Sequence, residues 1–197
     1  DLWNVLGEAS GKDISSFMHA WMTQPGFPVV SAVKNGSTIT LTQQQFFVGP
    51  HEDKGRTWPI PLHGASDAIP ETLQAKELSF SYTESNPFRL NAGSTAHYVT
   101  QYDEALRADI ISNLDDLSSV DKLSFLHEQM LLAKAGLQST ATLIPLLTHF
   151  KAETNESVWS IVSLAVNELK RFVENNEAAE KRLKQLVAEV ISEQYTR

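Results

Sequence analysis

The segment FLHEQMLLAK, residues 125–134, contains half of a pattern that binds zinc in many hydrolases. In H-E-x-x-H, two histidines one helical turn apart bind the metal, and the glutamate beside the first acts as general base. His127 and Glu128 provide the first two residues, but Leu131 occupies the position of the second histidine. Because a leucine cannot bind zinc, the sequence predicts no catalytic metal on this helix.

The same segment can also be interpreted as an ordinary amphipathic helix that binds no metal. Apolar residues recur at helical spacing, which predicts that His127 and Glu128 lie at the flank or outer face of an amphipathic helix. The predicted buried face consists of Leu123, Leu126, Met130, Ala133 and Leu137. The alternative is an independent hydrolase that uses His127 and Glu128, for which helical spacing provides no second ligand or nucleophile.

The other histidines form no comparable site. His51 and Glu52 repeat the first pair, but Gly55 stands at the fifth position, and the surrounding glycine and proline residues mark a loop. No metal-binding partner at convincing helical spacing accompanies His19, His63, His97 or His149. We therefore predict that the chain contains no catalytic residue, no metal ligand and no cofactor site.

Composition limits the possible functions. The 197 residues are 42% hydrophobic and 20% charged, which is typical of a soluble globular protein. The net charge of -8 argues against a nucleic-acid partner, which requires a basic face. No apolar run approaches the roughly 20 residues of a membrane helix, so no membrane partner is expected. The absence of cysteine fits a reducing compartment, and we expect a cytoplasmic location.

Residues 1–26 are predicted to be helical. Asp13 is a plausible N-cap, and Pro25 with Gly26 ends the second helix. An apolar stripe at helical spacing comprises Ile14, Phe17, Met18 and Trp21. Because so short a segment cannot bury several large apolar groups by itself, we expect an interface with another part of the protein. The candidate interface residues are Trp3, Phe17, Met18 and Trp21.

Residues 27–102 are predicted to form a small antiparallel β-sandwich, because the apolar period changes from helical to alternating. Asn35-Gly36 predicts a hairpin with a type I′ turn. Ile39 and Leu41 should share one face of the second strand. The segment WPIPL (58–62) is expected to be an edge or irregular strand, because each proline removes a hydrogen-bond donor.

Residues 103–197 are predicted to form an all-α domain, either a bundle or the beginning of a solenoid. The predicted helices are 104–114, 119–135, 139–151, 155–174 and 177–195. The fold class is therefore α+β in three parts: a short helical segment, a β-sandwich and a helical domain.

Several segments resemble the aminopeptidase N family of zinc metallopeptidases. Residues 1–33 resemble the end of its catalytic domain, with D-L-W, S-G-x-D, M-x-x-W and T-Q-P-G-[FY]-P-V-V in order. Val99 departs from the family, which has an arginine at that position. Further resemblances are LTQQQF (41–46), TWPIPL (57–62), AHYVTQYD (96–103), SVDKLSFLHEQMLLAKAGL (119–137) and ESVWSIV (156–162).

The resemblance implies a C-terminal piece of a zinc aminopeptidase. Residues 1–26 would end the catalytic domain, 27–102 would form the β-sandwich, and 103–197 would begin the helical domain. The parent enzyme would use zinc to remove N-terminal residues from peptides, with every catalytic residue located before position 1. The missing catalytic domain would be the partner of this piece, the sandwich a spacer, and the helical domain a cap over the active-site cavity. The alternative is a free-standing binding or adaptor module.

Overall fold

A computed structural model describes residues 2–195, which divide after Leu106 into two compact units. The elements are helices α1 (Leu2–Ser10) and α2 (Ile14–Thr23), strands β1 (Pro28–Asn35), β2 (Thr38–Gln45), β3 (Ile60–Pro61), β4 (Thr72–Leu73), β5 (Glu77–Ser81) and β6 (Val99–Tyr102), then helices α3 (Glu104–Ser112), α4 (Ser119–Lys134), α5 (Leu143–Leu147), α6 (Glu156–Val173) and α7 (Glu177–Tyr195). This order confirms the predicted α+β class. Within the described residues, no helix has the length and apolar content needed to cross a membrane.

The first unit contains a four-stranded sheet and a two-stranded sheet. The strand order in the larger sheet is β5-β2-β1-β6, and the smaller sheet pairs β3 with β4. The pairs β1–β2 and β2–β5 are antiparallel, as predicted, but β6 runs parallel to β1. The predicted antiparallel pairing therefore describes most of this sheet, and the β1–β6 pair at its edge departs from it. The long connection after β5 crosses over before β6 begins, whereas a hairpin would have reversed the chain direction.

The β1–β2 hairpin differs from its prediction in the turn. Asn35 pairs with Thr38, so the two turn residues are Gly36 and Ser37 rather than Asn35 and Gly36. Only Gly36 has a positive φ, of 60°, which fits a type II′ turn and not the predicted type I′. The predicted alternation is confirmed, because Ile39 and Leu41 are both fully buried. A slip of one residue would move both side chains to the opposite face.

The segment before β3 has a backbone that cannot form a regular ladder. Pro59 and Pro61 have no N–H group, so their neighbours must satisfy the remaining polar groups in another way. Side chains provide the hydrogen bonds. The carbonyl groups of residues 57–59 accept, in chain order, from Gln24 Nε2 at 2.9 Å, Gln43 Nε2 at 2.9 Å and Trp21 Nε1 at 3.0 Å.

Gln43 is the central member of this network. Its side chain is 1% exposed, and its Oε1 accepts from the Trp58 backbone N–H at 2.8 Å. Its Nε2 also donates to the Ala75 carbonyl at 2.9 Å, just after β4. The start of β3 lies beside the end of β4, because the two strands are antiparallel. One amide from the larger sheet therefore holds both strands of the smaller sheet at the same end, and in this way it joins the two sheets.

The second unit consists of helices, and α4 has a capping interaction at each end. Ser118 Oγ accepts from the Asp121 N–H at 3.2 Å and caps α4. Gly136 has a φ of 72°, and the Leu137 N–H donates to the Leu132 carbonyl at 2.9 Å, so α4 ends in a Schellman motif. The stripe of α6 that is buried within this unit comprises Val158, Val162, Ala165 and Leu169.

The predicted helix 139–151 is interrupted. The segment forms a 3₁₀ turn, the five-residue helix α5 and a second 3₁₀ turn. Pro145 removes one backbone donor, and two threonines compete for carbonyl groups. Thr142 Oγ1 donates to the Ser139 carbonyl at 2.7 Å, and Thr148 Oγ1 donates to the Pro145 carbonyl at 2.8 Å.

The predicted three-part division, 1–26, 27–102 and 103–197, remains a prediction. The division between the two units, after Leu106, lies close to the predicted boundary after residue 102. Helices α1 and α2 belong to the same compact unit as the sheets.

Replacing Gln43 with alanine should destabilise the first unit by about 3 kcal/mol, because buried polar groups at Trp58 and Ala75 would lose their partners. Urea unfolding followed by circular dichroism and tryptophan fluorescence measures this loss. Gln44→Ala is the matched control, since Gln44 is the exposed neighbour on the same strand. Equal stabilities for the two variants would show that the Gln43 network does not hold the sheets.

Candidate functional site

His127 and Glu128 lie in the middle of α4, on the side that faces away from its buried core. His127 is exposed, whereas Glu128 and Leu131 are half-buried. The residues of α4 that are buried are Phe125, Leu126, Gln129, Met130 and Leu132. The predicted buried face is confirmed for Leu126 and Met130. The buried part of α4 is wider than the predicted face and also includes Phe125, Gln129 and Leu132. The reason is that α4 contacts both α5 and α6 within this unit.

The surroundings of His127 disfavour its protonation. Partial desolvation by the neighbouring protein is the larger cause, and the charge of Lys134 adds to it, so the pKa lies below the ordinary value of 6.5. Lys134 is itself paired with Glu168, whose Oε1 lies 3.1 Å from the Lys134 Nζ. A neutral imidazole could bind a metal, but Leu131 remains where the second ligand would be needed.

Across residues 2–195, no three His, Asp or Glu side chains are close enough together to hold a metal ion. His149 and Asp115 form a pair, with Nδ1 and Oδ1 separated by 3.5 Å. His51 stacks on Phe47 with ring centroids 4.3 Å apart, in the predicted loop. The absence of catalytic and metal-binding residues from the chain remains a prediction.

Helices α1 and α2 carry apolar side chains without burying any of them. No residue of either helix is buried, although both sequences are mainly apolar. We call this the helix-pair surface. Its exposed apolar members, with their exposed fractions, are Leu2 (63%), Val5 (61%), Leu6 (42%) and Met22 (67%). Several exposed large apolar side chains on one pair of helices favour an interaction site.

Among the predicted interface residues, Trp21 already has a role inside the first unit. Its indole binds the Pro59 carbonyl, and its ring lies 6.3 Å from that of Trp58. Trp3, Phe17 and Met18 are half-buried. Their function as an interface remains a prediction.

Phe17 also lines an open cavity of about 820 Å³ at the start of α2. The cavity has a mixed lining, with Ile14, Ile69 and Pro70 beside polar and charged groups. Leu2, Val5 and Leu6 were not among the predicted interface residues. Their spacing of three and four residues along α1 was the signal that could have identified them.

Comparisons with known proteins give a consistent assignment. The family model described as ERAP1-like C-terminal domain matches residues 88–197. Aminopeptidase N of Lactococcus lactis subsp. lactis is 44% identical over 197 residues, which is 95% of this chain and 23% of the relative. Aminopeptidase N of Lactococcus lactis subsp. cremoris is 37% identical and covers 100% of this chain. The alanine/arginine aminopeptidase of Saccharomyces cerevisiae is 30% identical over 86% of this chain and 21% of the relative.

The chain belongs to the aminopeptidase N family. It spans about a quarter of the length of the curated relatives that it matches, since the shares are 23% and 24%. The ERAP1-like C-terminal domain begins at residue 88 and therefore includes β6 and helices α3 to α7. The resemblance seen in the sequence is thus confirmed at the level of the family.

The pKa of His127 provides a test of its environment. An NMR titration of the ring should give a midpoint below 6.5. Lys134→Gln should raise this midpoint without restoring the ordinary value, because desolvation is the larger cause. Between the lowered pKa of the folded state and the ordinary pKa of the unfolded state, the folded protein binds fewer protons. The free energy of unfolding therefore falls as the pH drops through this range.

Glutamine does not titrate in this pH range. The variant His127→Gln should therefore lose the part of the pH dependence of the unfolding free energy that is due to His127. A wild-type midpoint at or above the ordinary value would contradict the described surroundings of the ring.

Proposed function

We propose that the chain is a non-catalytic part of a zinc-dependent aminopeptidase, and that the catalytic residues lie elsewhere in a longer polypeptide. Membership of the aminopeptidase N family supports the activity, and the printed names of the relatives describe aminopeptidases. The observation that carries the proposed role of this chain is the helix-pair surface, two apolar helices without one buried residue.

The helix-pair surface would dock on the catalytic part of the same enzyme. Complete burial of a Leu, Val or Met side chain contributes about 1.5–3 kcal/mol, so the four exposed members alone would provide a substantial driving force. Trp21 attaches α2 to the segment before β3, while Met22 on α2 and Leu2, Val5 and Leu6 on α1 stay exposed. In relatives about four times as long as this chain, a catalytic part of the same polypeptide is the natural occupant.

The sheets would act as a spacer between the catalytic part and the helical unit. A spacer must be stiff, and the hydrogen bonds around residues 57–59 fix the backbone that joins its two sheets. The helical unit would contribute to a cap over the active-site cavity, so that only peptides of suitable size enter. N-terminal residues of peptides would be the substrates of the whole enzyme.

The residues of this chain do not fit the zinc ion that the family implies. His127 has Leu131 in place of a second ligand, and the described residues bring no third candidate near it. We therefore assign no step of the reaction to this chain. Zinc would be bound by the catalytic part of the parent enzyme.

A chimeric enzyme tests the proposal. This chain would replace the matching segment of aminopeptidase N from Lactococcus lactis subsp. lactis, to which it is 44% identical. The chimera should hydrolyse aminoacyl chromogenic substrates at a rate within about tenfold of the unmodified enzyme. Val5→Asp with Leu6→Asp should reduce that rate by more than about tenfold, because the docked surface would bury unpaired charges.

The matched control is Val120→Asp, which places a charge at another apolar position, 53% exposed, in the helical unit. It should leave the rate unchanged. A chimera that is folded and soluble but inactive would contradict the proposal and favour the alternative, a free-standing adaptor that uses the same surface for another protein. Equal effects of the Val5 and Val120 substitutions would show that the helix-pair surface does not dock.

A further inference from the structure

The tip of the β1–β2 hairpin brings together two groups that can react with each other. Asn35 is the last residue of β1, and Gly36 opens the two-residue turn. Both residues are exposed. Asn35 is also the only asparagine of the sequence that is followed by glycine.

Neither reacting group is held by a hydrogen bond. Within the described part of the chain, the Asn35 carboxamide and the Gly36 backbone N–H have no partner. Gly36 is also unhindered, because a Cβ placed there would meet no atom within 4 Å. Glycine lacks the side chain that would otherwise obstruct approach to its nitrogen, and its backbone rotates freely.

We infer that Asn35 is a site of spontaneous deamidation through a cyclic imide. The Gly36 backbone nitrogen loses its proton and forms a bond to Asn35 Cγ. The Cγ–Nδ2 bond then breaks, and the amide nitrogen leaves as ammonia after taking up a proton. Water opens the five-membered ring at either carbonyl, which gives aspartate or isoaspartate. One ammonia leaves and one water enters, so the reaction needs no oxidant, reductant or other partner.

Three other asparagines are bound or blocked, in contrast to Asn35. Asn91 is 7% exposed, and both ends of its carboxamide are bound to Ala96, with Nδ2 and Oδ1 each at 2.9 Å from their partners. Asn155 Oδ1 accepts from the Ser157 N–H at 2.9 Å. Asn86 precedes Pro87, which has no N–H group to attack. The order of reactivity therefore starts at Asn35.

The product would alter the end of the hairpin. Isoaspartate routes the main chain through Cβ, which lengthens the backbone where Asn35 pairs with Thr38. The neighbouring Lys34 N–H donates to Asp103 Oδ2 at 2.7 Å, so the change lies next to a bond that holds the start of α3. Either product adds one negative charge to a chain whose net charge is -8.

Incubation of the whole chain at neutral and mildly alkaline pH, followed by peptide mass spectrometry, tests the inference. Asn35 should show the mass shift of an amide-to-acid exchange before Asn91 does. Its rate should rise with pH, because the attacking nitrogen must lose a proton. Methylation by a protein isoaspartyl methyltransferase should label the same peptide.

Two variants keep the test independent of hairpin stability. Asn35→Gln keeps the amide but lengthens the side chain, and it should abolish the shift at this position. Gly36→Ala should slow the reaction at Asn35 in the chain denatured with urea, where the turn conformation no longer matters. Modification at Asn35 that is no faster than at Asn91, or that is independent of pH, would overturn the inference.

Discussion

The backbone of residues 57–59 passes between two sheets without a strand partner of its own, next to prolines that cannot donate. Each buried carbonyl group without a hydrogen-bond partner would lower the stability by about 1–3 kcal/mol. The chain satisfies these groups with three side chains, from Trp21 on α2, Gln24 directly after α2 and Gln43 on β2. The first unit depends on this arrangement, because it joins the small sheet to the large one and α2 to both.

The same arrangement explains why the helix-pair surface stays open. Trp21 and Gln24 attach α2 to the backbone before β3, and α1 contacts the rest of the unit mainly through α2. Leu2, Val5, Leu6 and Met22 stay exposed, whereas Trp3, Phe17 and Met18 are half-buried. The exposed apolar side chains of the two helices are therefore available for a partner.

The sequence predicted those parts of the fold that depend on local patterns. The alternation of Ile39 and Leu41 identified the buried face of β2, and helical spacing predicted a helix at 119–135, where α4 lies. It did not predict the contacts between distant residues. The parallel pairing of β6 depends on the path of a long connection, and a buried Gln43 looks in the sequence like any polar residue of an exposed strand.

The candidate site could likewise be predicted from local spacing but not from contacts between distant residues. Apolar spacing predicted an interface on α2, but it could not show that Trp21 forms a hydrogen bond within the first unit or that Leu2, Val5 and Leu6 are exposed. The width of the buried face of α4 also depends on its contacts with α5 and α6. The spacing of apolar residues along α4 alone does not show how many helices pack against it. Residue types excluded a zinc-hydrolase helix more directly, because a missing ligand at position 131 is a chemical fact of the sequence.

The most direct test of the account is the zinc content of the chain, measured by mass spectrometry after chelation and zinc repletion, together with its hydrolysis of aminoacyl chromogenic substrates. The account predicts no stoichiometric zinc and no turnover. One zinc ion per chain, with turnover that is lost on His127→Ala or Glu128→Gln, would contradict it and make α4 a catalytic helix.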